Sequence, residues 1–376
     1  MIPVTKPFLP NPALYKQYID EVFERNWLTN NGPLVNDLEL KLKNYLFLKH
    51  LLLVSNGTIA LQIAIKALEL KGEIITTPFS YVASTSSIVW QGCTPVFVDI
   101  LSDKLTIDPA KIEAAITPET SAILAAHIYG IPCEIDEIQK IADKHGLKVI
   151  YDGAHAFGVK YKGKSVFEYG DISTCSFHAT KIFHTVEGGM VATKNPELLK
   201  KMALFRNFGH EGFDQYNGVG INAKNSEFHA AMGLSVLPEI AKILESRKKQ
   251  SLLYREMLAN LDVQFLAEQD VEEYNHAYFP IVFKTEKDML KSQKRLGDVG
   301  VGCRRYFFPS LNKLDYTVGV CTISEDISTR ILCLPLYHTL TQLENRIRQH
   351  FVIQLVMLIV FTIGSQLLTS SHRVCL

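Results

Sequence analysis

The chain has no surplus of either charge. Lys and Arg number 39, and Asp and Glu also number 39, over 376 residues. Wholesale nucleic-acid binding needs a basic surface and is excluded on this balance, although a local basic patch for phosphate is not. A paired-cysteine pattern is also missing. The seven cysteines (Cys93, Cys133, Cys175, Cys303, Cys321, Cys333 and Cys375) are odd in number and widely spaced, with no CxxC. Neither a disulfide framework nor a structural zinc site is expected, and no metal is expected at all. They read as small core residues in a reducing compartment. No apolar h-region follows Met1, so no secretory signal is expected, and the cytoplasm is the expected location. Internal repeats and low-complexity tracts are absent.

What remains is an ordinary folded chain, 47% apolar and 21% charged, long enough to bury a sizeable core. One segment departs from that composition. Residues 351–363 read FVIQLVMLIVFTI, and Arg373 is the one charged residue after His350. The stretch is shorter than the roughly 20 residues a spanning helix needs. A buried terminal helix is the expectation. A membrane anchor and a shifted reading frame are the alternatives.

Short apolar runs at 51–54, 74–77, 95–99, 122–127, 147–151 and 172–177 alternate with helical patterns. Examples are IALQIAIKALEL at 59–70 and IDEIQKIADKHG at 135–146, the latter ending on a glycine placed to cap it. Such alternation predicts an α/β layered protein with a largely parallel sheet, whose ligands bind at the carboxyl ends of the strands. A long charged helix is predicted over 238–261. A large domain is placed at 1–245 and a smaller α+β domain at 246–376.

Four features fall where a strand gives way to a loop. Ser55-Asn56-Gly57-Thr58 combines a turn, a helix start and a hydroxyl, which together cradle an anion; the same residues also serve an ordinary capped helix. In Tyr151-Asp152-Gly153-Ala154-His155 the Asp152 carboxylate is placed at the ligand edge, suited to a cationic ring nitrogen. His155 is suited equally to a cofactor oxygen or to a satisfied core site. In Ser176-Phe177-His178-Ala179-Thr180-Lys181 a lysine lies just past a strand end: a solvated surface residue, or, where desolvating walls and a cationic partner lower its pKa, an amine able to form a Schiff base. The Glu187-Gly188-Gly189 that follows lets backbone approach closely. In Thr77-Pro78-Phe79-Ser80-Tyr81 the Tyr81 ring offers a flat wall. Together they supply a phosphate cradle, a ring face, a carboxylate and an amine. That is the set pyridoxal 5'-phosphate (PLP) requires.

The ordered motifs WLTNNGPL (27–34), SNGTIALQIA (55–64), TTPFSYVAS (76–84), YDGAHAFG (151–158), SFHATKIFHTVEGGMV (176–191), GVGINAKNSEFHAAMGL (218–234) and LPLYHTLT (334–341) resemble the sugar-nucleotide aminotransferases of the DegT/DnrJ/EryC1/StrS type. The resemblance implies a fold-type I PLP enzyme that works as a homodimer with shared sites. It implies Lys181 as the lysine that binds the cofactor and moves the proton. Asp152 would pair with the ring nitrogen, Tyr81 would stack on the ring, and His155 would lie near its hydroxyl. Gly57, Thr58 and Ser176 would hold the phosphate, joined by Asn222 reaching in from the partner. Family members that dehydrate carry histidine in place of that lysine, so the retained Lys181 sets dehydration aside. Asn225 departs from the methionine more usual there. The tail past about Asn345 departs from the family's polar terminal helix.

The 27–34 loop resembles members acting at C4. The expected reaction is amination of a dTDP-linked 4-keto-6-deoxyhexose by L-glutamate, serving O-antigen sugar synthesis. A 3-keto substrate, a UDP-linked sugar and a catalytically silent PLP-binding regulator are the alternatives. Arg304, Arg305 and Tyr306 are suited to a nucleotide diphosphate or base, or equally to a solvated turn.

Overall fold

The structure, a computed structural model, describes residues 1–267 and 273–340. The six apolar runs become β1 (His50–Val54), β2 (Glu73–Thr76), β3 (Thr94–Phe97), β4 (Thr120–Ala126), β5 (Lys148–Asp152) and, after a short hairpin of β6 (Lys160–Tyr161) and β7 (Lys164–Ser165), β8 (Ile172–Ser176). A seventh strand, β9 (Gly189–Thr193), completes one sheet in the order β1-β9-β8-β5-β4-β2-β3. Its pairs are parallel except those of β9, which runs against β1 and β8. That reversal brings the start of β9 to the edge where β1, β2, β5 and β8 end. One edge of the sheet therefore collects all four motifs.

Helices α1 (Pro12–Arg25), α2 (Pro33–Tyr45), α3 (Gly57–Ala67), α4 (Val82–Trp90), α5 (Ile135–His145), α6 (Pro196–Arg206), α7 (Glu227–Val236) and α8 (Ile240–Leu258) surround this sheet. Helices cover both faces, so the strands are buried along nearly their whole length. Leu61 and Ile65 of α3 and Met202 of α6 share one cluster with Val191, whereas Ile135, Ile138 and Ala142 of α5 share another with Ile123 and Val149. α5 ends on Gly146 in the left-handed conformation, as its position predicts. α3 begins at Gly57, one residue before the expected start, because Asn56 is its cap and accepts the Ile59 N–H at 2.8 Å.

A smaller antiparallel sheet follows, β10 (Val263–Gln264), β11 (Phe279–Phe283) and β12 (Ile331–Leu334), with α9 (Glu286–Asp298) and α10 (Thr322–Arg330). It is tied to the large sheet at several points. The Asp99 carboxylate accepts the N–H groups of Ile323 and Ser324 at 2.9 Å each, capping α10 from the large sheet. From α8, Tyr254 donates to the Pro335 carbonyl at 2.8 Å and Arg247 to that of Leu336 at 2.7 Å. The division expected at 245/246 falls inside α8. The predicted helix over 238–261 is shorter at its start, because Leu237–Glu239 forms a 3-10 turn.

Cys93, Cys133, Cys175, Cys321 and Cys333 are buried, and Cys303 is half-buried; Cys375 lies outside the described residues. So does the apolar stretch 351–363. Among the described residues no helix is long and apolar enough to cross a membrane, and no cluster of three or more His, Cys, Asp or Glu could hold a metal.

One core histidine sets an acid limit on stability. His127 follows β4, is 1% exposed, stacks on Tyr151 at 4.8 Å and accepts the Cys133 N–H at its Nδ1. Burial pulls its pKa down from 6.5 to about 3. The folded chain thus refuses a proton that the unfolded chain takes up below pH 6.5, so acid favours unfolding across the window from about 6.5 to 3. Urea titrations should show about 2 kcal/mol lost between pH 7 and pH 5 from this residue alone. A His127→Asn variant with an unchanged pH slope would disprove the assignment.

Candidate active site

Asp152 ends β5, and its carboxylate is oriented by two donors. Ser84 Oγ of α4 donates to Oδ2 at 2.8 Å and the Ala154 N–H to Oδ1 at 3.0 Å. Its own carbonyl accepts the His127 N–H at 2.9 Å, which fixes the β5 end against the β4 end.

His155 lies one turn on, buried among aromatic rings. The Tyr129 N–H donates to its Nδ1 at 3.1 Å, so the proton of the neutral ring sits on Nε2. Phe307 and Tyr129 lie parallel to it at 5.8 and 6.2 Å, and Tyr278 meets it edge-on at 4.8 Å. Burial holds the imidazole's pKa well below the usual value, and the charge of Lys181 pushes it the same way. The ring is therefore neutral at physiological pH, with one N–H to offer.

Lys181 follows β8 in a tight turn, with its N–H on the His178 carbonyl at 2.9 Å. Its side chain enters a small cavity lined by Ala154, His155, Ser176, Thr180 and Tyr278, among others. Nζ lies 5.9 Å from the Tyr278 ring centroid. Desolvation lowers the pKa of this amine below the ordinary lysine value, while Asp152 pulls it back up. A larger share of neutral, nucleophilic amine results.

The anion cradle is built by close packing. A Cβ on Gly57 would stand 2.8 Å from Ser176 Cβ, so only glycine lets the start of α3 sit against the end of β8. A Cβ on Gly189 would stand 2.7 Å from the Asn56 backbone, so the close approach at Glu187-Gly188-Gly189 is to the chain's own backbone, where a ligand was the expectation. The start of α3, with its free N–H groups, thus lies against Ser176 at the end of β8.

The remaining candidates are spread more widely. Tyr81 precedes α4 at the edge of the site and is 55% exposed. Asn222 lies on the loop before α7; its backbone pairs with Asn207, and its side chain is exposed with no hydrogen bond among the described residues. Asn225 is buried, and its Nδ2 has no hydrogen-bond partner among the described residues. The loop at 27–34 is held onto α7 by Glu227, whose carboxylate accepts the N–H groups of Leu34 and Val35 at 2.9 Å each. Tyr306 meets Tyr278 edge-on at 5.3 Å. Arg304 stays exposed beside it, whereas Arg305 turns away into an ion pair with Glu286 at 2.9 Å.

Ser84, Tyr129 and Tyr278 carry no signal of their own in the sequence, yet they shape the site; Phe307, expected beside Arg304 and Arg305 as a ring for a nucleotide base, instead stacks on His155. Ser84 ends a recognised motif and Tyr278 sits in an aromatic run, but nothing local couples either to Asp152 or Lys181.

The donor set fits PLP: a cradle for its phosphate, a carboxylate at the sheet edge for a ring nitrogen and a desolvated amine for an aldehyde. The sequence profile of the DegT/DnrJ/EryC1/StrS aminotransferase family matches residues 13–350. The chain belongs to this family. The family's aminotransferases are PLP-dependent, and this chain is a sugar-nucleotide transaminase. It is 40% identical over 354 residues to the dTDP-4-amino-4,6-dideoxy-D-glucose transaminase of Escherichia coli, an alignment spanning 91% of this chain and 95% of that protein. The protein of the same description from Shigella dysenteriae is also 40% identical, over 90% of this chain and 94% of its own. Among solved structures, DesI in the presence of its TDP-sugar product superposes with a TM-score of 0.88 at 31% identity, covering 99% of this chain and 95% of DesI.

Proposed function

We propose that this family member transfers the amino group of L-glutamate to C4 of dTDP-4-keto-6-deoxy-D-glucose, giving dTDP-4-amino-4,6-dideoxy-D-glucose and 2-oxoglutarate. The 40% identity to two transaminases of that description, over nine-tenths of each chain, carries the reading.

Bound PLP supplies an aldehyde that takes up an amino group and a cationic ring that withdraws electrons from the carbon being deprotonated. The chain's residues supply the rest. Gly57, Thr58 and Ser176 hold the phosphate at the start of α3, where the N–H groups and the helix dipole favour an anion. Asp152, oriented by Ser84 and the Ala154 N–H, gives the ring nitrogen a fixed anionic partner. His155 offers its Nε2–H toward the cofactor, and Tyr81 covers the ring. Lys181 holds the cofactor between turnovers and, once displaced, moves a proton to or from the reacting carbon as a general base and acid. The wall formed by Tyr278, Tyr306 and Phe307 excludes water from that amine. The segment Arg304-Arg305-Tyr306 forms the substrate-facing rim, with Arg305 bracing it from behind.

A homodimer belongs to the same reading. The Asn222 side chain, exposed and without a hydrogen bond among the described residues, completes the cradle of a second copy in this reading. The product's place in O-antigen sugar synthesis and a cytoplasmic location complete the proposal. Incubation with glutamate and 4-keto-6-deoxy sugars linked to dTDP, UDP or GDP, or with a 3-keto analogue, separates the readings. NMR should find a new C4 amine on the dTDP sugar. Amination at C3, or preference for another nucleotide, would refute the substrate assignment.

A further inference from the structure

The backbone of Val186 stands in the left-handed region, at φ 68°. A β-branched side chain disfavours that conformation, and a residue held in it marks a place to look for function. Packing does not hold it there, since Val186 is 44% exposed. Hydrogen bonds do. The Val186 N–H donates to His184 Nδ1 at 3.3 Å, and the flanking Thr185 hydroxyl donates to the Glu187 carbonyl at 2.8 Å.

The strained residue belongs to the turn that carries Lys181. That turn leaves β8 at Phe177 and closes at Gly188. The Phe177 N–H donates to the Gly188 carbonyl at 2.7 Å, and the Thr185 N–H to the Phe177 carbonyl at 2.9 Å. Only Ile182 and Phe183 separate Lys181 from His184. Phe183 is fully buried, with its ring 4.8 Å from those of Phe157 and Phe177. So short and tightly packed a link passes a shift at His184 on to Lys181.

His184 is also pinned from outside the turn. It is 2% exposed, and because Nδ1 accepts, the ring proton sits on Nε2, which donates to the Phe8 carbonyl at 2.7 Å. Burial lowers its pKa and so favours this neutral form. Phe8 lies in an N-terminal segment stiffened by Pro3, Pro7 and Pro10. The C-terminal part anchors that segment. The Ile2 N–H donates to the Gly300 carbonyl and the Gly302 N–H to the Ile2 carbonyl, at 2.8 Å each, and the Val4 carbonyl accepts the Leu336 N–H at 3.1 Å. Phe8 itself meets the His338 ring edge-on at 4.7 Å. One imidazole therefore joins the strained turn to a fixed N-terminal strap.

We propose that His184 is a positioning residue for Lys181: it holds Val186 left-handed, ties the turn to the strap, and so fixes the lysine for PLP capture and amino transfer. The inference rests on the transaminase reading above.

The test incubates the full-length apoprotein with PLP and borohydride and reads the rate of cofactor fixation at Lys181 by peptide mass. His184→Phe keeps a ring and loses both hydrogen bonds. It should slow fixation and lower kcat by about tenfold each, the scale on which a non-glycine residue resists the left-handed region. The KM values for glutamate and the sugar nucleotide should stay within about twofold. His184→Gln, whose amide both donates and accepts, should keep at least about half of each rate. Adding Val186→Gly to His184→Phe should bring both rates back to within about threefold of wild type, because glycine takes that conformation without support. Wild-type rates in His184→Phe would overturn the proposal. So would a loss that Val186→Gly leaves in place, since His184 would then act as core packing alone. A wild type that fixes no PLP at Lys181 would overturn the transaminase reading itself, an outcome distinct from any difference among the variants.

Discussion

Lys181→Ala should lower kcat for amino transfer by at least ~10⁴-fold, because one amine provides both the covalent attachment and the proton transfer, and general acid–base work alone contributes 10²–10⁴. The variant should still retain PLP, since the cradle at Gly57 and Ser176 and the carboxylate at Asp152 do not depend on the lysine. The structure gives the loss a further signature. Lys181 is desolvated, and its pKa is held below that of an ordinary lysine. Among the described residues no other lysine lines the cavity it enters, so none of them can substitute for it. Added small amines of graded basicity should restore part of the rate, in order of the fraction unprotonated at the assay pH. Unchanged turnover in Lys181→Ala would remove this residue from the chemistry.

Asp152→Asn should lower kcat on the order of 10²–10³-fold, the usual cost of removing one preorganised electrostatic partner. The amide keeps an oxygen for the Ser84 hydroxyl or the Ala154 N–H, so the end of β5 should hold its shape. What it loses is the anion opposite the ring nitrogen. A second effect follows with a definite sign. Asp152 raises the pKa of Lys181 against the larger, lowering effect of burial. Without that anion the amine's pKa falls further, so apoprotein should capture PLP at lower pH than wild type does. The variant therefore separates the two roles of the carboxylate: PLP capture shifts to lower pH while turnover collapses. Wild-type rates, or a capture profile moved to higher pH, would contradict the assignment.

Much of this site was legible because its parts are local. Asp152, Lys181 and the Gly57 cradle each follow a short apolar run, and in a mostly parallel sheet such ends converge whatever the details of packing. The reversal of β9 was not legible, since an apolar run reads alike in both directions; only its pairing with β1 and β8 reveals it. The tautomer of His155 depends on the N–H of Tyr129, 26 residues earlier in the chain. Tyr278, Tyr306 and Phe307 arrive from the C-terminal part through tertiary packing, which no spacing rule reports. The Arg304-Arg305 pair shows the limit most clearly. Composition marked both as cations suited to a substrate, whereas the structure leaves Arg304 exposed over the Tyr306 ring and pairs Arg305 with Glu286 of α9.

The absorbance spectrum of the purified protein with PLP, before and after L-glutamate and beside Lys181→Ala, tests the central claim most directly. The account predicts a visible cofactor band in the wild type that glutamate bleaches, with no such glutamate response in the variant. Absence of any band in the wild type at saturating PLP, or a band that glutamate leaves unchanged, would contradict it.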